Sequence, residues 1–358
     1  MKSLSHQREA CGLTWRHFNI FINIGAFGAP LWILGLSAVV AMVRHKLPSI
    51  IGFGMSIDQE QVVNELYTIR DFVRWSLSQF SREQVFFGHG TDNAWDEAVQ
   101  LVLGAIDLPW DTNPAVMDAR LTYGERKRVV EFLRLRVEER KPLPYVIGEA
   151  WYLGMPFYVN ENVLIPRSPI AELIQARFSP WLRPGPVERI LDLCAGSGCI
   201  GIGCADVFEE AEVDLVDVSV EALEVAARNV TRHGLEDRVN VIQSDLFSSL
   251  QGRSYDLIVS NPPYVDAADY ACMPAEFGHE PELALTSGED GLDITRNILR
   301  QACEFLREDG LLVVEVGNSE VHLMAEFPQV PLIWVELEHG NGVFAITAKD
   351  LRQYRDFF

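Results

Sequence analysis

A chain of 358 residues, 48% hydrophobic and 23% charged, is long enough for two folded units and too apolar to stay disordered. Its formal net charge of −21 disfavours unassisted contact with a long phosphate backbone and favours a basic protein partner. Cys11, Cys194, Cys199, Cys204, Cys272 and Cys303 include no Cys-x-x-Cys pair and no zinc-type Cys/His spacing. No metal site is therefore expected, and the six read as reduced packing residues of a cytoplasmic protein.

Residues 1–54 differ from the rest. They carry a net charge of +4, which leaves −25 on the remainder, and Phe18 to Val43 is free of charge. That run is long enough to cross a bilayer as a helix. Either the chain has an N-terminal anchor, or Met55 is the true start and residues 1–54 are a mistaken upstream extension. The second is expected, because Ser56 can cap the helix that follows and the chemistry downstream needs nothing from a membrane.

From Ile57 to about Phe80, Val62, Leu66, Ile69, Val73 and Leu77 recur at helical spacing. Trp95–Ile106 and Asp118–Arg140 read the same way, so residues 55–140 are expected to form a small helical domain. Tyr145–Val163, rich in aromatic and β-branched residues, reads as a β-hairpin within a linker at 141–166. A helix is expected over Ile170–Leu182.

Residues 167–358 then alternate. Strands are predicted at Arg189–Cys194, Glu212–Val218, Val239–Asp245, Tyr255–Ser260, Leu311–Gly317, Leu332–Leu337 and Gly342–Ala348. Helices are predicted at Ser197–Phe208, Val220–His233, Ile294–Arg307 and Ser319–Phe327. This pattern specifies an α/β fold with a mainly parallel sheet between helices. Only Glu338–Asn341 joins the last two strands, too short for a crossover, so they must form an antiparallel hairpin at the sheet end.

The first strand of the sheet, with Asp192 and Cys194, runs into Ala195-Gly196-Ser197-Gly198. Glycines there let a ligand approach the backbone, and the next helix offers free N–H groups. The second strand ends at Asp217, placed to accept from the hydroxyls of a ribose. The third ends at Asp245, placed to accept from an adenine amino group, with Phe247 to pack on the ring. The set fits S-adenosylmethionine and, in part, NAD, but no hydride-transfer acid accompanies it. Taken singly, Asp217 and Asp245 could be helix caps or solvated loop acids.

The fourth strand runs into Asn261-Pro262-Pro263-Tyr264. Two prolines stiffen the loop and remove two donors. An NH₂ group on a planar carbon could donate to the Asn261 side-chain oxygen and the Pro262 carbonyl, with Tyr264 against the plane. Two fixed acceptors would favour the charge developing on a weakly nucleophilic amide nitrogen and aim it at a methyl carbon.

These segments, with Ile165-Pro166-Arg167-Ser168-Pro169 and His279-Glu280-Pro281-Glu282, resemble the HemK-type N5-glutamine protein methyltransferases over residues 55–358. The resemblance implies a Rossmann-like class I S-adenosylmethionine methyltransferase sheet preceded by a small helical substrate-recognition domain. Asp192, Cys194, Ala195, Gly196, Gly198, Asp217, Asp245, Phe247 and Asn261 are the candidate cofactor contacts, Asn261, Pro262, Pro263 and Tyr264 the candidate substrate contacts, and Asn261, Pro262 and Tyr264 the catalytic candidates; the resemblance implies that Asn261 and Pro262 hold the glutamine amide. Arg167 and Glu172 are further candidates for positioning loops. Ser168-Pro169-Ile170-Ala171-Glu172 stands where the release-factor branch tends to have a Pro-Asp-Thr-Glu type segment. This points to the branch whose substrate is large-subunit ribosomal protein L-three, a basic protein.

Three rivals stand beside this reading. An adenine-N6 methyltransferase would use the same four-residue loop, but the acidic body and the lack of a basic recognition region oppose it. A release-factor glutamine methyltransferase differs only in substrate. A non-catalytic ribosome-assembly factor would keep the fold without transfer.

Overall fold

The computed structural model describes residues 59–358, and Gln59–Phe358 packs as one compact unit. The readings of residues 1–54 lie outside the described residues. Among the described residues no helix is long and apolar enough to cross a membrane.

Helices come first: α1 (Gln59–Glu65), α2 (Ile69–Glu83), α3 (Ala94–Ala105) and α4 (Tyr123–Val137). The single helix expected from Ile57 to Phe80 is two. Thr68 and Asp71 form a capping box, in which Thr68 Oγ1 accepts from Asp71 N and the Asp71 carboxylate accepts from Thr68 N. A new helix therefore starts at Ile69. The helix expected from Asp118 likewise begins at Tyr123, because Thr122 and Glu125 form a second capping box.

A short helix α5 (Leu143–Ile147), unforeseen, precedes the expected hairpin of β1 (Glu149–Tyr152) and β2 (Met155–Tyr158). Helix α6 covers only Ile170–Gln175, where a helix to Leu182 was expected. Pro180 has no N–H for a helical bond and disfavours helix at Ser179. The chain leaves the helix through left-handed Arg177 and Phe178, and the Phe178 ring is fully buried.

The main sheet contains β3 (Arg189–Leu193), β4 (Glu212–Asp217), β5 (Val239–Gln243), β6 (Tyr255–Ser260), β7 (Leu306–Glu315), β8 (Ile333–Trp334) and β9 (Val343–Thr347). Their order is β5-β4-β3-β6-β7-β9-β8. β3 to β7 pair in parallel; β9 pairs antiparallel with both β7 and β8. The terminal hairpin is as expected, although β8 is reduced to two residues.

Side chains alternate between the two faces. Ile190, Leu257, Val259, Leu311 and Val313 pack with α6 and with α7 (Cys199–Val207) and α8 (Val220–Arg232). Leu191, Leu193, Ile258, Leu312 and Val314 pack with α10 (Asp293–Phe305), α11 (Glu320–Glu326) and α12 (Ala348–Gln353). Both faces are covered, so β6 is buried along its whole length. A short helix, α9 (Ala267–Cys272), follows the loop after β6. Cys194, Cys199, Cys204 and Cys303 are free thiols.

The chain leaves β3 toward β4 on one side and later returns to β6 on the other. The carboxyl ends of β3 and β6 therefore meet at the topological switch point, where an open α/β sheet leaves a crevice.

Candidate active site

That crevice is a cavity. Its lining includes Cys194–Ser197 after β3, Val216–Ser219 after β4, Ser244–Leu246 after β5 and Asn261 and Pro263 after β6. Asn162–Ser168 and the segment around Pro281–Ala284 close it.

The glycine loop turns sharply because Cys194, Gly196 and Gly198 all have positive φ, at 59°, 53° and 79°. A side chain on Gly198 would strike Leu215 Cδ1 at 2.9 Å, whereas one on Gly196 would meet nothing within 4 Å. Gly196 thus presents bare backbone to open space, and Gly198 lets the loop close onto β4. The loop is held by polar bonds. Gly196 N donates to Asp217 Oδ2 at 2.9 Å, and Ser219 N donates to Asp217 Oδ1 at 2.9 Å. Burial raises the Asp217 carboxyl above the usual range, against these backbone donors.

Asp192 does not line the cavity, contrary to the expected cofactor contact. It points under α7, where its Oδ2 accepts from Gly201 N at 2.7 Å. Burial pushes its carboxyl up to about 8, opposed by the Gly201 donor. Asp192 Oδ2 therefore sets the start of α7, while its Oδ1 is buried without a hydrogen-bond partner. Gly198 is also off the lining, as the hinge beneath it. Phe247 is a second correction: it is buried and stacks on Phe305, with ring centroids 4.6 Å apart. Left-handed Leu246 turns the chain, so Leu246 takes the place in the lining expected for Phe247. Asp245 lines the cavity and is exposed.

At the other wall, Asn261 Oδ1 is buried and has no hydrogen-bond partner. A buried acceptor without a donor is costly, about 1–3 kcal/mol, and Asn261 is one whose residue also lines the cavity, where a ligand can supply the missing donor. No donor among the described residues reaches the Pro262 carbonyl either, although the Pro262 ring is buried and off the lining. Tyr264 turns away from the cavity. Its hydroxyl donates to Glu315 Oε1 at 2.9 Å, and its ring lies against Gly317, where a side chain would meet it at 2.5 Å. Glu315, at the end of β7, also accepts from Ser168 Oγ at 2.6 Å through Oε2. The carboxylate is buried, which raises its pKa, and it joins the loop after β6 to the Ile165–Ser168 segment across the cavity. Tyr264 therefore does not line the cavity, contrary to the expected contact with the amide plane.

Arg167 lines the cavity and makes a bidentate pair with Glu280, at 2.5 and 2.7 Å. Glu280 also accepts from Ile165 N at 3.0 Å, and His89 Nε2 stands 3.3 Å from its Oε2. Burial would raise this carboxyl; the Arg167 charge and its two hydrogen bonds, with His89 close by, outweigh burial and lower it to about 2. Glu172 lies outside the cavity and accepts from Glu338 N and His339 N, each at 2.8 Å, holding the β8–β9 loop.

Glu315 and Asn229 matter here and carry no motif signal of their own, and Glu280 stands in a quoted motif without having been assigned a role. Asn229, fully buried on α8, donates to Ser197 O at 2.9 Å and to Tyr158 O at 3.0 Å, tying the glycine loop to the hairpin. Among the described residues no cluster of His, Cys, Asp and Glu is arranged to hold a metal.

Residues 179–277 match the model of the methyltransferase small domain family. The chain is 48% identical over 302 residues to a ribosomal protein uL3 glutamine methyltransferase of Francisella tularensis, covering 84% of this chain and 96% of that relative. It is 47% identical over 289 residues to the protein of the same name from Bordetella pertussis, covering 80% and 97%. A solved methyltransferase from Pyrococcus furiosus is 19% identical with a TM-score of 0.40, over 55% of this chain and 89% of that one. With relatives of this identity aligned over most of its length, the chain belongs to the family of ribosomal protein uL3 glutamine methyltransferases.

Proposed function

We propose that this chain transfers a methyl group from S-adenosylmethionine to the side-chain amide nitrogen of a glutamine in ribosomal protein uL3. The observation that carries it is the buried, unpartnered Oδ1 of Asn261, a residue that lines the same cavity as the glycine loop and Asp217.

The residues fit the cofactor. Gly196 leaves its backbone open to a ligand, Asp217 offers carboxylate lone pairs at the end of β4, and Asp245 offers a free acceptor at the end of β5. The cofactor supplies an electrophilic methyl group. On the acceptor side, Asn261 Oδ1 and the Pro262 carbonyl take the two N–H donors of the glutamine amide. They fix its orientation and stabilise the positive charge that grows on its nitrogen. Their positions are preset, because Tyr264, Glu315 and Ser168 lock the loop before substrate arrives. No side-chain base is required for the attack, since the methylated nitrogen becomes acidic and releases its proton afterwards.

The test uses the full chain, radiolabelled S-adenosylmethionine and uL3 that lacks the modification. Label on one glutamine of uL3, mapped by mass spectrometry, is the expected result. Label in nucleic acid or in a release factor overturns the substrate assignment.

A further inference from the structure

A second depression adjoins the cavity and shares Arg167 with it. Trp95 and Trp110 line it and are 54% and 53% exposed, unusual for the largest side chain. Trp110 is braced edge-on by Trp151, with ring centroids 5.9 Å apart. Asp92 and Asp96 line it too, both exposed. Their side chains accept from the neutral Asn93 Nδ2 at 2.7 and 2.8 Å, and no ion pair involves either among the described residues. The support beneath is rigid: Thr91 Oγ1 donates to Glu97 Oε2 at 2.5 Å, and fully buried Arg136 pairs with the same carboxylate.

We propose that this groove binds a lysine- or arginine-bearing segment of the methyl-accepting protein, next to the glutamine that enters the cavity. The proposal rests on the reading of uL3 as substrate. Tryptophan faces attract cations, and two carboxylates without a cationic partner add charge of the matching sign. A protein that packs on ribosomal RNA must carry cations to neutralise phosphates, so its segments have the chemistry the groove lacks. Because Arg167 borders both spaces, a bound segment lies continuous with the reaction site.

The experiment measures steady-state methylation of purified uL3 by the full chain, by D92N/D96N and by W95A/W110A. All four positions are exposed, and unchanged melting temperatures verify folding. The expected result is a KM for uL3 raised about tenfold in each variant, with kcat and cofactor affinity unchanged. In D92N/D96N the rise of KM with salt also becomes shallower. Normal wild-type transfer with variant KM values within about twofold of wild type overturns the groove alone. Variants that instead convert a dimer to a monomer assign the groove to a second copy, which also overturns it. Absence of transfer to uL3 by the wild type removes the substrate reading and the proposal together.

Discussion

The two walls of the cavity are built differently. The wall formed by the glycine loop and the ends of β4 and β5 is tied by contacts between neighbouring βα units. Gly196 N reaches Asp217, 21 positions away, and Gly201 N reaches Asp192, nine positions away. The wall that holds Asn261 depends on two buried carboxylates that join distant segments. Glu315 links Tyr264 and Ser168, which are 51 and 147 positions from it; Glu280 links Arg167 and Ile165, 113 and 115 positions away. A flexible, shared cofactor needs a surface that local backbone can supply. A weak nucleophile must be aimed, and that calls for acceptors fixed by the whole fold.

Substitutions should separate the walls. The largest expected effect is Glu280→Ala, which leaves Arg167 without its partner and should destabilise the fold by about 3–5 kcal/mol. Chemical denaturation measures it; a loss under about 1 kcal/mol would show that the pair does not hold this wall. The depressed pKa of Glu280 also has a pH signature. Its contribution to stability is complete above the ordinary value of 4.5 and is lost as pH falls toward about 2. The melting curve of Glu280→Gln should therefore lack part of the wild-type acid dependence.

Asn261→Ala comes next. It should lower kcat about 100- to 1000-fold, as when one preorganised transition-state partner is removed, with cofactor affinity nearly intact. Loss of cofactor affinity with normal turnover at saturation would assign Asn261 to the other wall. Asp217→Ala should do the reverse, weakening the cofactor about 10- to 100-fold while kcat at saturating cofactor changes little. Equilibrium binding decides it, and an unchanged dissociation constant would remove Asp217 from the cofactor site.

Glu315→Gln should be milder. One amide oxygen keeps a donor, while the NH₂ faces the other hydroxyl, so kcat should fall about tenfold and KM for the cofactor should hold. Equal losses in both would mean general disorder rather than a misplaced acceptor loop. Asp192→Asn is read by its pH dependence. Because burial raises the Asp192 carboxyl to about 8, the wild type loses stability as pH climbs from the ordinary 3.8 toward that value. Asparagine can still accept from Gly201 N, so its melting temperature should fall less between pH 5 and pH 9. Parallel curves for the two proteins would mean that Asp192 is ionised throughout.

The same contrast governs what could be read in advance. Alternating apolar strands and amphipathic helices predict the parallel sheet and its terminal hairpin, and Gly196 and Asn261 stand in motifs whose chemistry follows from their atoms. Phe247 and Asp192 show where that reasoning stops. Each sits beside a motif, but a single left-handed residue, Leu246, or a single backbone donor, Gly201 N, decides which way the side chain faces. The Ile57–Phe80 periodicity was equally compatible with one helix or two, because the Thr68–Asp71 cap leaves the apolar spacing undisturbed.

Sequence alone determined the fold class and the glycine turn, since these follow from local conformational preference and the period of apolar residues. Only the tertiary structure decided which acids are buried as struts, which tryptophans remain open and which polar atom is left without a partner. Desolvation and hydrogen-bond satisfaction belong to a neighbourhood, and around Glu280, Glu315 and Asn261 that neighbourhood is assembled from segments up to 147 positions apart.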